Sequence, residues 1–543
     1  MSPWRSPRAV GLLGTLAVLA LWQVLSQTLL RAGGTVPGPV QIVEQLMRDG
    51  GGIYLTNAGV TLSAAAQGYL YGNLAAIGFA VVALVVPALA RPITHVGVFS
   101  YCLPIVAIGP VFAIVFPADL SRVVLAGLSV FFTTLVGTTA GLRAADQGSI
   151  DLITAHGGGR WTAVRKVRAM AALPALFAGL QIAAPAAMLG AIIGEYIGAD
   201  SGLGVLMISS QQSMQIERTW AVAFTGAALA GLAFLVVGLA SRLLLPWSSQ
   251  LSAAAMVGPV APAGRRGASF VHGMLGLVVG VAAVVGVWFA FLAITGVSSF
   301  IGRSPLDVLH FLTTTPPGGR PDPRGHLLGL SLTTLGDAML GLLTGVVAAL
   351  VVASLFALSP TLRNALMSAM LALRAVPMVA MAPLLVLVAG RGSASVAVIG
   401  GLVTFFPTLV GVLAALRRIP RDSADLMAAY SAGRWRTFVT VQAPVALSAL
   451  VSSLRIAAPL AFTGALLAEW LATGKGLGYD MILSMTSARY DLLWTEVVIV
   501  TVLSFAVFAS VGLLERAVSS LYTGSVPTDE RAPSVLRVPE PAL

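Results

Sequence analysis

Acidic side chains recur at a fixed spacing in this sequence, and they have the clearest potential for chemistry. Asp151 and Asp425 lie 274 residues apart, as do Glu195 and Glu469. The aspartates belong to short polar segments, whereas the glutamates lie near the ends of long apolar ones. A charge at the centre of a membrane helix costs about 2.5–3.5 kcal/mol on insertion scales, so a carboxylate in an apolar segment needs a partner or a function. The expected chemistry is recognition by charge and hydrogen bonds.

The motifs of nucleotide-binding and metal-dependent enzymes are missing from the sequence. Gly474-Lys475 is followed by Gly476 and lacks the upstream glycine of a Walker A loop. The sequence contains no His-Glu-x-x-His, its five histidines are scattered, and its one cysteine has no second cysteine with which to form a metal site. We therefore expect no catalytic residue, cofactor or metal on this chain, and ATP hydrolysis, if any, on a partner.

Composition indicates a membrane protein. Of the 543 residues, 57% are hydrophobic and only 10% are charged, against about 25% charged residues in soluble domains. The mean hydropathy is +0.91, and apolar runs of roughly 20 residues, the length that crosses a bilayer as a helix, recur along the chain. These features predict an all-α polytopic fold.

An internal repeat organises these apolar segments. The 274-residue offset also aligns three further blocks: Gly159-Arg160-Trp161 with Gly433-Arg434-Trp435, Ile182-Ala183-Ala184-Pro185 with Ile456-Ala457-Ala458-Pro459, and Gly202-Leu203-Gly204 with Gly476-Leu477-Gly478. We infer a first module at 1–247, a polar linker at 248–268, a second module at 269–522 and a disordered tail at 523–543.

Each module is predicted to have six membrane spans, about twelve in total. The predicted spans are 9–30, 56–88, 92–117, 120–142, 174–198 and 219–245, and then 271–295, 328–358, 365–390, 394–416, 446–471 and 492–515. An even number of spans returns the chain to its starting side, so the two modules are expected to be parallel repeats.

Arginines predict the orientation. Several fall in short loops on one side of both modules, among them Arg143, Arg165, Arg417 and Arg436. By the positive-inside rule that side is cytoplasmic, with both termini there and the protein in the cytoplasmic (inner) membrane. The net charge of +11 is thereby explained by topology, and nucleic acid is not expected as a partner.

The loops at 143–172 and 417–445 carry the most specific signal. In each, acidic residues precede an apolar stretch, and a small-residue break with arginine and tryptophan follows. This order is typical of a short helix outside the membrane, with an apolar face that needs a partner groove.

These loops resemble the EAA loop of ABC-importer permeases, the coupling helix that docks into the ATP-binding subunit. Asp151 and Asp425 stand at the position of the family's glutamate; Gly157 keeps its glycine, which Ser431 replaces in the second copy. The resemblance implies eight docking residues: Asp151, Gly157, Arg160, Trp161, Asp425, Ser431, Arg434 and Trp435.

A second resemblance narrows the family. Arg455-Ile456-Ala457, Glu469 and Gly476-Leu477-Gly478 are similar to motifs of nitrate/sulfonate/taurine-type permeases, and the first copy repeats most of them. The resemblance covers nearly the whole chain twice. It implies two fused type I ABC-importer permease modules, two copies of an ATPase subunit, an extracytoplasmic solute-binding protein, and a small solute such as a sulfonate or nitrate.

Five polar residues within spans are candidates for the solute pathway or its gate: Gln181, Glu195, Asp337, Arg455 and Glu469. Each also has a structural alternative. Glu195 and Glu469 could line the outer gate or support the Gly-Leu-Gly turns where a binding protein docks, or they could lie in the wet interface and cap local backbone. Asp337 could line the route or pair with a neighbouring helix. Arg455 could meet an anion, bind the coupling loop or reach the headgroups.

Other functions stay open on sequence grounds. An ion-coupled secondary transporter would also use repeats, but it would place carboxylates near span centres and needs no docking loop. A membrane scaffold or sensor would need no central pathway. A fused permease of the iron or thiamine type is a further alternative, against which the Arg-Ile-Ala and Gly-Leu-Gly blocks argue.

Overall fold

The computed structural model describes residues 7–28, 34–248, 270–314, 322–375, 381–416 and 421–522, and no strand occurs among them. The helices of the first copy are α1 (Pro7–Gln27), α2 (Pro39–Asp49), α3 (Gly51–Val85), α4 (Pro87–Cys102), α5 (Ile105–Val115), α6 (Ala118–Arg143), α7 (Gln147–Ala155), α8 (Arg160–Ala163), α9 (Ala169–Gly198), α10 (Leu203–Gln212) and α11 (Ile216–Leu244).

The helices of the second copy repeat this series in order. They are α12 (Phe270–Thr295), α13 (Pro305–Thr313), α14 (Pro323–Leu358), α15 (Pro360–Ala375), α16 (Ala382–Ala389), α17 (Ser393–Leu416), α18 (Arg421–Ala429), α19 (Arg434–Thr437), α20 (Ala443–Ala468), α21 (Gly476–Thr486) and α22 (Tyr490–Tyr522). Short π-helical segments lie at Val164–Arg168, Phe438–Gln442 and Glu469–Thr473, and a 3₁₀ turn lies at Pro246–Ser248.

The predicted all-α membrane architecture of two repeated modules is confirmed. Within the described ranges, nine helical segments are long and apolar enough to cross a membrane, and the bent pair α4–α5 makes a tenth. These ten match ten of the twelve predicted spans. The first predicted span falls on α1, and the ninth on the shorter α15 and α16, between which residues 376–380 lie outside the described part.

The third predicted span, 92–117, is not one straight helix. Helices α4 and α5 meet at an angle of 94°. The break lies at Leu103-Pro104, where Leu103 is extended with φ −75° and ψ 109°. Proline lacks an amide proton and disfavours the helical conformation in the residue before it, so the helix ends there. One continuous span was predicted here, and the break was missed.

The first helix of each copy packs against the other copy. Helix α1 lies against α15, and α12 lies against α4. Both crossings use a glycine: a Cβ on Gly14 would overlap the backbone of Ala365, and one on Gly280 would clash with His95. Small residues let membrane helices approach closely enough for van der Waals packing. The two copies are therefore interlocked at both edges.

Within each copy, the core is a set of three long helices: α3, α6 and α9, or α14, α17 and α20. Glycines bring them together at matching positions. Gly72 lies against Gly127 in the first copy, and Gly345 lies against Gly401 in the second. A larger buried cluster joins the copies, with Val111 of α5, Phe462 of α20 and Trp494 of α22 among its members.

The predicted linker, apart from Ser248, and the predicted tail at 523–543 lie outside the described residues, as do the first four residues of the second coupling loop, 417–420.

Candidate functional site

The two coupling segments form short helices followed by a tight turn. Asp146 caps α7 by accepting a hydrogen bond from the Ser149 amide at 2.8 Å. This bond lowers the pKa of the Asp146 carboxyl. After α7 and α18 the chain turns through a left-handed residue, Gly157 with φ +78° or Ser431 with φ +50°. The family's glycine position is thus a helix C-cap, and serine occupies it at a conformational cost.

These segments expose apolar side chains. Leu152 and Trp161 are 60% and 65% exposed, and their counterparts Leu426 and Trp435 are 57% and 66% exposed. Asp151 and Asp425 lie beside the leucines and are also exposed. Surface apolar residues at matching places in both copies are typical of a contact with another protein. Arg434 is exposed as well, whereas the side chain of Arg160 lies outside the described part.

A π-helical segment joins each coupling segment to the long helix that follows. Val164–Arg168 precedes α9, and Phe438–Gln442 precedes α20 at the same repeat position. Such segments are rare and occur frequently at functional sites. Here they connect the exposed segments directly to the two helices that run through the core.

At the other end of α9, Glu195 is buried beneath the Gly-Leu-Gly turn. Its carboxylate accepts hydrogen bonds from the Thr61 hydroxyl and from the Gly204 amide, both at 2.7 Å. The same Thr61 hydroxyl accepts a bond from the Leu203 amide at 2.9 Å. A Cβ on Gly202, which has φ +127°, would overlap the carboxyl group. The glutamate therefore holds the turn against α3.

The second copy repeats this arrangement. Glu469 is fully buried and accepts a hydrogen bond from the Gly478 amide at 2.7 Å, while the Leu477 amide donates to the Thr334 hydroxyl at 2.9 Å. Gly476, with φ +85°, leaves no room for a Cβ beside the carboxyl group. We call the two arrangements the turn clamps: Glu195 and Thr61 under Gly202-Leu203-Gly204, and Glu469 and Thr334 under Gly476-Leu477-Gly478. The geometry matches the expectation that these glutamates support the turns.

Next to the turn clamps, the two copies meet at equivalent residues. The rings of Tyr196 and Trp470, 274 positions apart, contact each other with centroids 6.4 Å apart. Helix α5 packs on α21 and α10 packs on α16, so the two copies exchange matching contacts. A contact between equivalent residues lies on the pseudo-twofold axis that relates the copies. The two copies are therefore in direct contact at this end of the molecule.

Gln181 and Arg455 occupy the same repeat position but do not face an open route. Gln181 donates a long hydrogen bond, 3.4 Å, to the Phe234 carbonyl on α11. Arg455 forms an ion pair with Glu515 of α22 at 3.1 Å and lies over the Phe508 ring. The contacts described for Arg455 are with α22, and none of them is with the coupling loop. Glu515, the partner that the sequence analysis did not identify, lies 60 residues further along the chain.

Asp337 lines a cleft of about 650 Å³ at the turn-clamp end of the second copy. Arg391, Lys475, Trp470 and Tyr479 also line it. Among the residues that the structure describes, Asp337 has no ion-pair partner on a neighbouring helix. Of the two interpretations from sequence, the geometry favours an open position over a helix-pairing one.

The sequence pattern of the family described as "Binding-protein-dependent transport system inner membrane component" matches residues 72–250 and, a second time, residues 341–520. The chain belongs to this family. Each match contains one coupling segment and the glutamate and Gly-Leu-Gly turn of one turn clamp, whereas Thr61 and Thr334 lie just before the matched ranges. The fused permease therefore carries these features twice. Membership in the family implies an ATPase and a binding protein as partners in general, and it makes the chain a transport permease and not an enzyme.

Relatives of this permease resemble one module at a time. A probable ABC transporter permease protein of Haemophilus influenzae is 32% identical over 39% of this chain and 88% of its own length. The formylaminopyrimidine transport permease protein of Halalkalibacterium halodurans is 25% identical over 43% of the chain and 93% of its own. The taurine transport system permease protein of Escherichia coli is 28% identical over 44% of the chain and 84% of its own length.

Sequence reasoning on this permease missed the residues that complete the site. Thr61 and Thr334 were not considered, although they are identical residues at matching repeat positions. Tyr196 and Trp470 directly follow the two glutamates, but they differ in type, and their contact across the axis leaves no trace in a single sequence. The repeat itself was the available signal, because identical residues at matching repeat positions are candidates for the same contact; Thr61 and Thr334 lie 273 positions apart, one less than the offset of the blocks further along the chain.

Proposed function

We propose that this permease imports a small solute across the cytoplasmic membrane and that two ATPase subunits drive it by docking on its coupling segments. The observation that carries the proposal is the pair of exposed apolar faces: Leu152 with Trp161, and Leu426 with Trp435. An apolar helix face outside the membrane gains stability by entering a groove on a partner. Each face continues through a π-helical segment into α9 or α20, so force at the docking surface would act on the closed end near Tyr196 and Trp470.

The proposed orientation places the coupling segments and both termini in the cytoplasm. The turn clamps then lie at the outer end, where an extracytoplasmic binding protein would release its solute. In this arrangement the Tyr196–Trp470 contact is the outer gate. The arginine bias of the loops supports this direction.

For the solute, we propose a small organic compound with an anionic group, such as a sulfonate. The resemblance to sulfonate- and taurine-type permeases supports this choice, and so does the taurine permease among the relatives. A thiamine-precursor solute is the second candidate, favoured by the relative named for formylaminopyrimidine transport.

The docking proposal is tested by co-purifying the tagged full-length permease with candidate ATPase subunits. The Asp151→Arg/Asp425→Arg double variant reverses two exposed charges beside the docking leucines. Asp200→Arg makes the same change on an exposed residue at the other end of the molecule and serves as the matched control.

We expect the wild type and the control to retain an ATPase and the double variant to lose it. If the double variant retains the ATPase as well as the wild type does, the coupling segments are not the docking surface. If no ATPase binds a monodisperse wild type, the import proposal fails, and an ion-coupled carrier becomes the leading alternative.

A further inference from the structure

The cleft beside the second turn clamp collects charges that have no partner. Arg391, Lys475 and Asp337 all line it, and none of the three forms an ion pair or hydrogen bond with another described residue. Some partly buried charges elsewhere in the described helices are paired, such as Asp49 with Arg218 and Arg455 with Glu515. The half-buried Asp337 has no such partner, and desolvating a carboxylate without a partner is costly.

The charges on Asp337 and Lys475 have no counterpart at the matching positions of the first copy. Ala64 stands in place of Asp337, and Ser201 stands in place of Lys475. The backbone differs too. In the second copy the chain forms a π-helical segment at Glu469–Thr473, where the first copy remains α-helical to Gly198. Four residues of that π segment, Trp470 to Thr473, form one wall of the cleft. A structural requirement shared by the repeats would not explain charges and a π segment that only one copy has.

The position of the cleft connects it to the solute route. Trp470 forms part of the cleft wall and also makes the contact with Tyr196 across the pseudo-twofold axis. The side chain of Tyr479 is 42% exposed and offers a second aromatic ring. A molecule in the cleft would therefore lie next to the residues that close the outer end.

We propose that this cleft is a solute-binding subsite for a small zwitterion. Arg391 and Lys475 bind its anionic group, Asp337 binds its ammonium group, and Trp470 and Tyr479 pack on the carbon chain between them. Both charged ends find opposite charges, and aromatic faces attract ammonium groups as well as apolar carbon. The volume of about 650 Å³ falls within the usual range for small-molecule pockets. The inference rests on the proposed import function and narrows its solute class.

The test measures binding to the full-length permease in nanodiscs by isothermal titration. One set of probes is 2-aminoethanesulfonate with its single-charge analogues ethanesulfonate and ethylamine; a second is β-alanine with propionate and ethylamine. We expect at least one zwitterion to bind about fivefold or more tightly than either of its analogues, which is the scale of one partly exposed ion pair.

Substitutions test which side chain binds which charged group of the solute. Asp337→Asn should abolish the preference for the zwitterion over the anionic analogue, because only the ammonium contact is lost. The Arg391→Gln/Lys475→Gln double variant should weaken binding of the zwitterion and the anion by about fivefold or more. Asp200→Asn removes an exposed outer charge at the corresponding turn of the first copy and should change neither value. Size-exclusion profiles establish that each variant is folded.

Three results would overturn the subsite: no zwitterion bound more tightly than its analogues by the folded wild type, an unchanged preference in Asp337→Asn, or equal losses in the Asp200→Asn control. Any of these, combined with retention of the ATPase in the co-purification, removes the subsite and leaves the import proposal intact. Loss of the ATPase from the wild type would instead remove the import function, whatever the cleft binds.

Discussion

The Gly-Leu-Gly turns of the two copies are held by the same kind of turn clamp but lie among different neighbours. In both copies a buried glutamate accepts a bond from the second glycine amide of the turn, and a threonine hydroxyl accepts the intervening leucine amide. Around the first turn the matching positions are Ala64 and Ser201, whereas around the second they are Asp337 and Lys475. The repeat thus preserves what holds the backbone and varies what faces solvent.

The same contrast appears in the middle of the spans. Gln181 meets a backbone carbonyl, and its counterpart Arg455 meets a carboxylate, Glu515, where the first copy has Ser241. The polar side chain in the fifth span therefore has a neutral hydrogen-bond partner in the first copy and forms an ion pair in the second. The experiments below ask where the two copies are interchangeable.

Replacing a turn glycine should have the largest effect. Gly202→Val and Gly476→Val each force a Cβ into the glutamate carboxyl group and a β-branched residue into a left-handed conformation. We expect each to cost about 3 kcal/mol or more, seen as loss of monodisperse protein after solubilisation. The matched control is Gly78→Val, on the open side of α3, where a Cβ meets no atom. If one of the two turn variants behaves like the control, the turn clamps are not equivalent.

Breaking the ion pair between Arg455 and Glu515 in the second copy should have the second-largest effect. Arg455→Gln removes the charged partner of the partly buried Glu515, which keeps the hydrogen bond from the Ser452 hydroxyl, and we expect a loss of about 1–3 kcal/mol in unfolding free energy. Arg455→Gln combined with Glu515→Ser reproduces the residues of the first copy and should recover most of that loss. Thermal unfolding in detergent measures both. Failure of the double variant to recover would mean that the surroundings of the two positions, and not only the pair, have diverged.

The third prediction concerns the outer surface of the first copy. Arg218 donates two hydrogen bonds to Asp49, at 2.5 and 2.9 Å, and these bonds hold the pKa of the Asp49 carboxyl well below its usual range. A lowered folded-state pKa stabilises the protein above the unfolded value of about 3.9, and that stability is lost as pH falls through the folded value.

Asp49→Asn should therefore cost about 1–2 kcal/mol at pH 7 and progressively less below pH ~4. Unfolding measured across this pH range tests the sign. Glu44→Gln, which removes an exposed carboxylate on the same helix, should show almost no cost at either pH. A cost for Asp49→Asn that is constant from pH 7 to pH 3 would contradict the prediction.

The smallest effect is expected from exchanging the C-cap residues of the coupling segments. Ser431→Gly relieves a left-handed serine and should stabilise that turn by about 1 kcal/mol, whereas the reciprocal Gly157→Ser should cost about the same. Hydrogen exchange of the α7 and α18 amides reports each turn separately. Equal exchange in all variants would show that the left-handed residue does not limit the order of these segments.

The repeat explains which parts of this structure could be predicted from sequence. Identical residues at a fixed offset located the turns, the glutamates and the coupling segments, because the same fold uses them twice. Features that occur in only one copy could not be predicted in this way. Glu515 has no matching residue in the first copy, where Ser241 stands in its place, and the cleft is formed by residues on four separate helical elements. Pro104 predicts that a helix ends at Leu103-Pro104, but proline does not fix the direction of the next helix. The 94° angle could therefore not be predicted from the sequence.

The first helix of each copy packs against the other copy, and this arrangement has a consequence for how the protein is synthesised. Gly14 of α1 packs on Ala365, which is synthesised more than 300 residues later. While translation continues, α1 must stay in the bilayer on its own hydrophobicity, and its outward leucines, such as Leu16 and Leu21 at more than half exposed, suit contact with lipid. A ribosome stalled after the first module would leave α4 without α12. The bundle can therefore close only when synthesis of the second half is well advanced, and a chain truncated between the modules would present an unfinished edge to the quality-control machinery of the membrane.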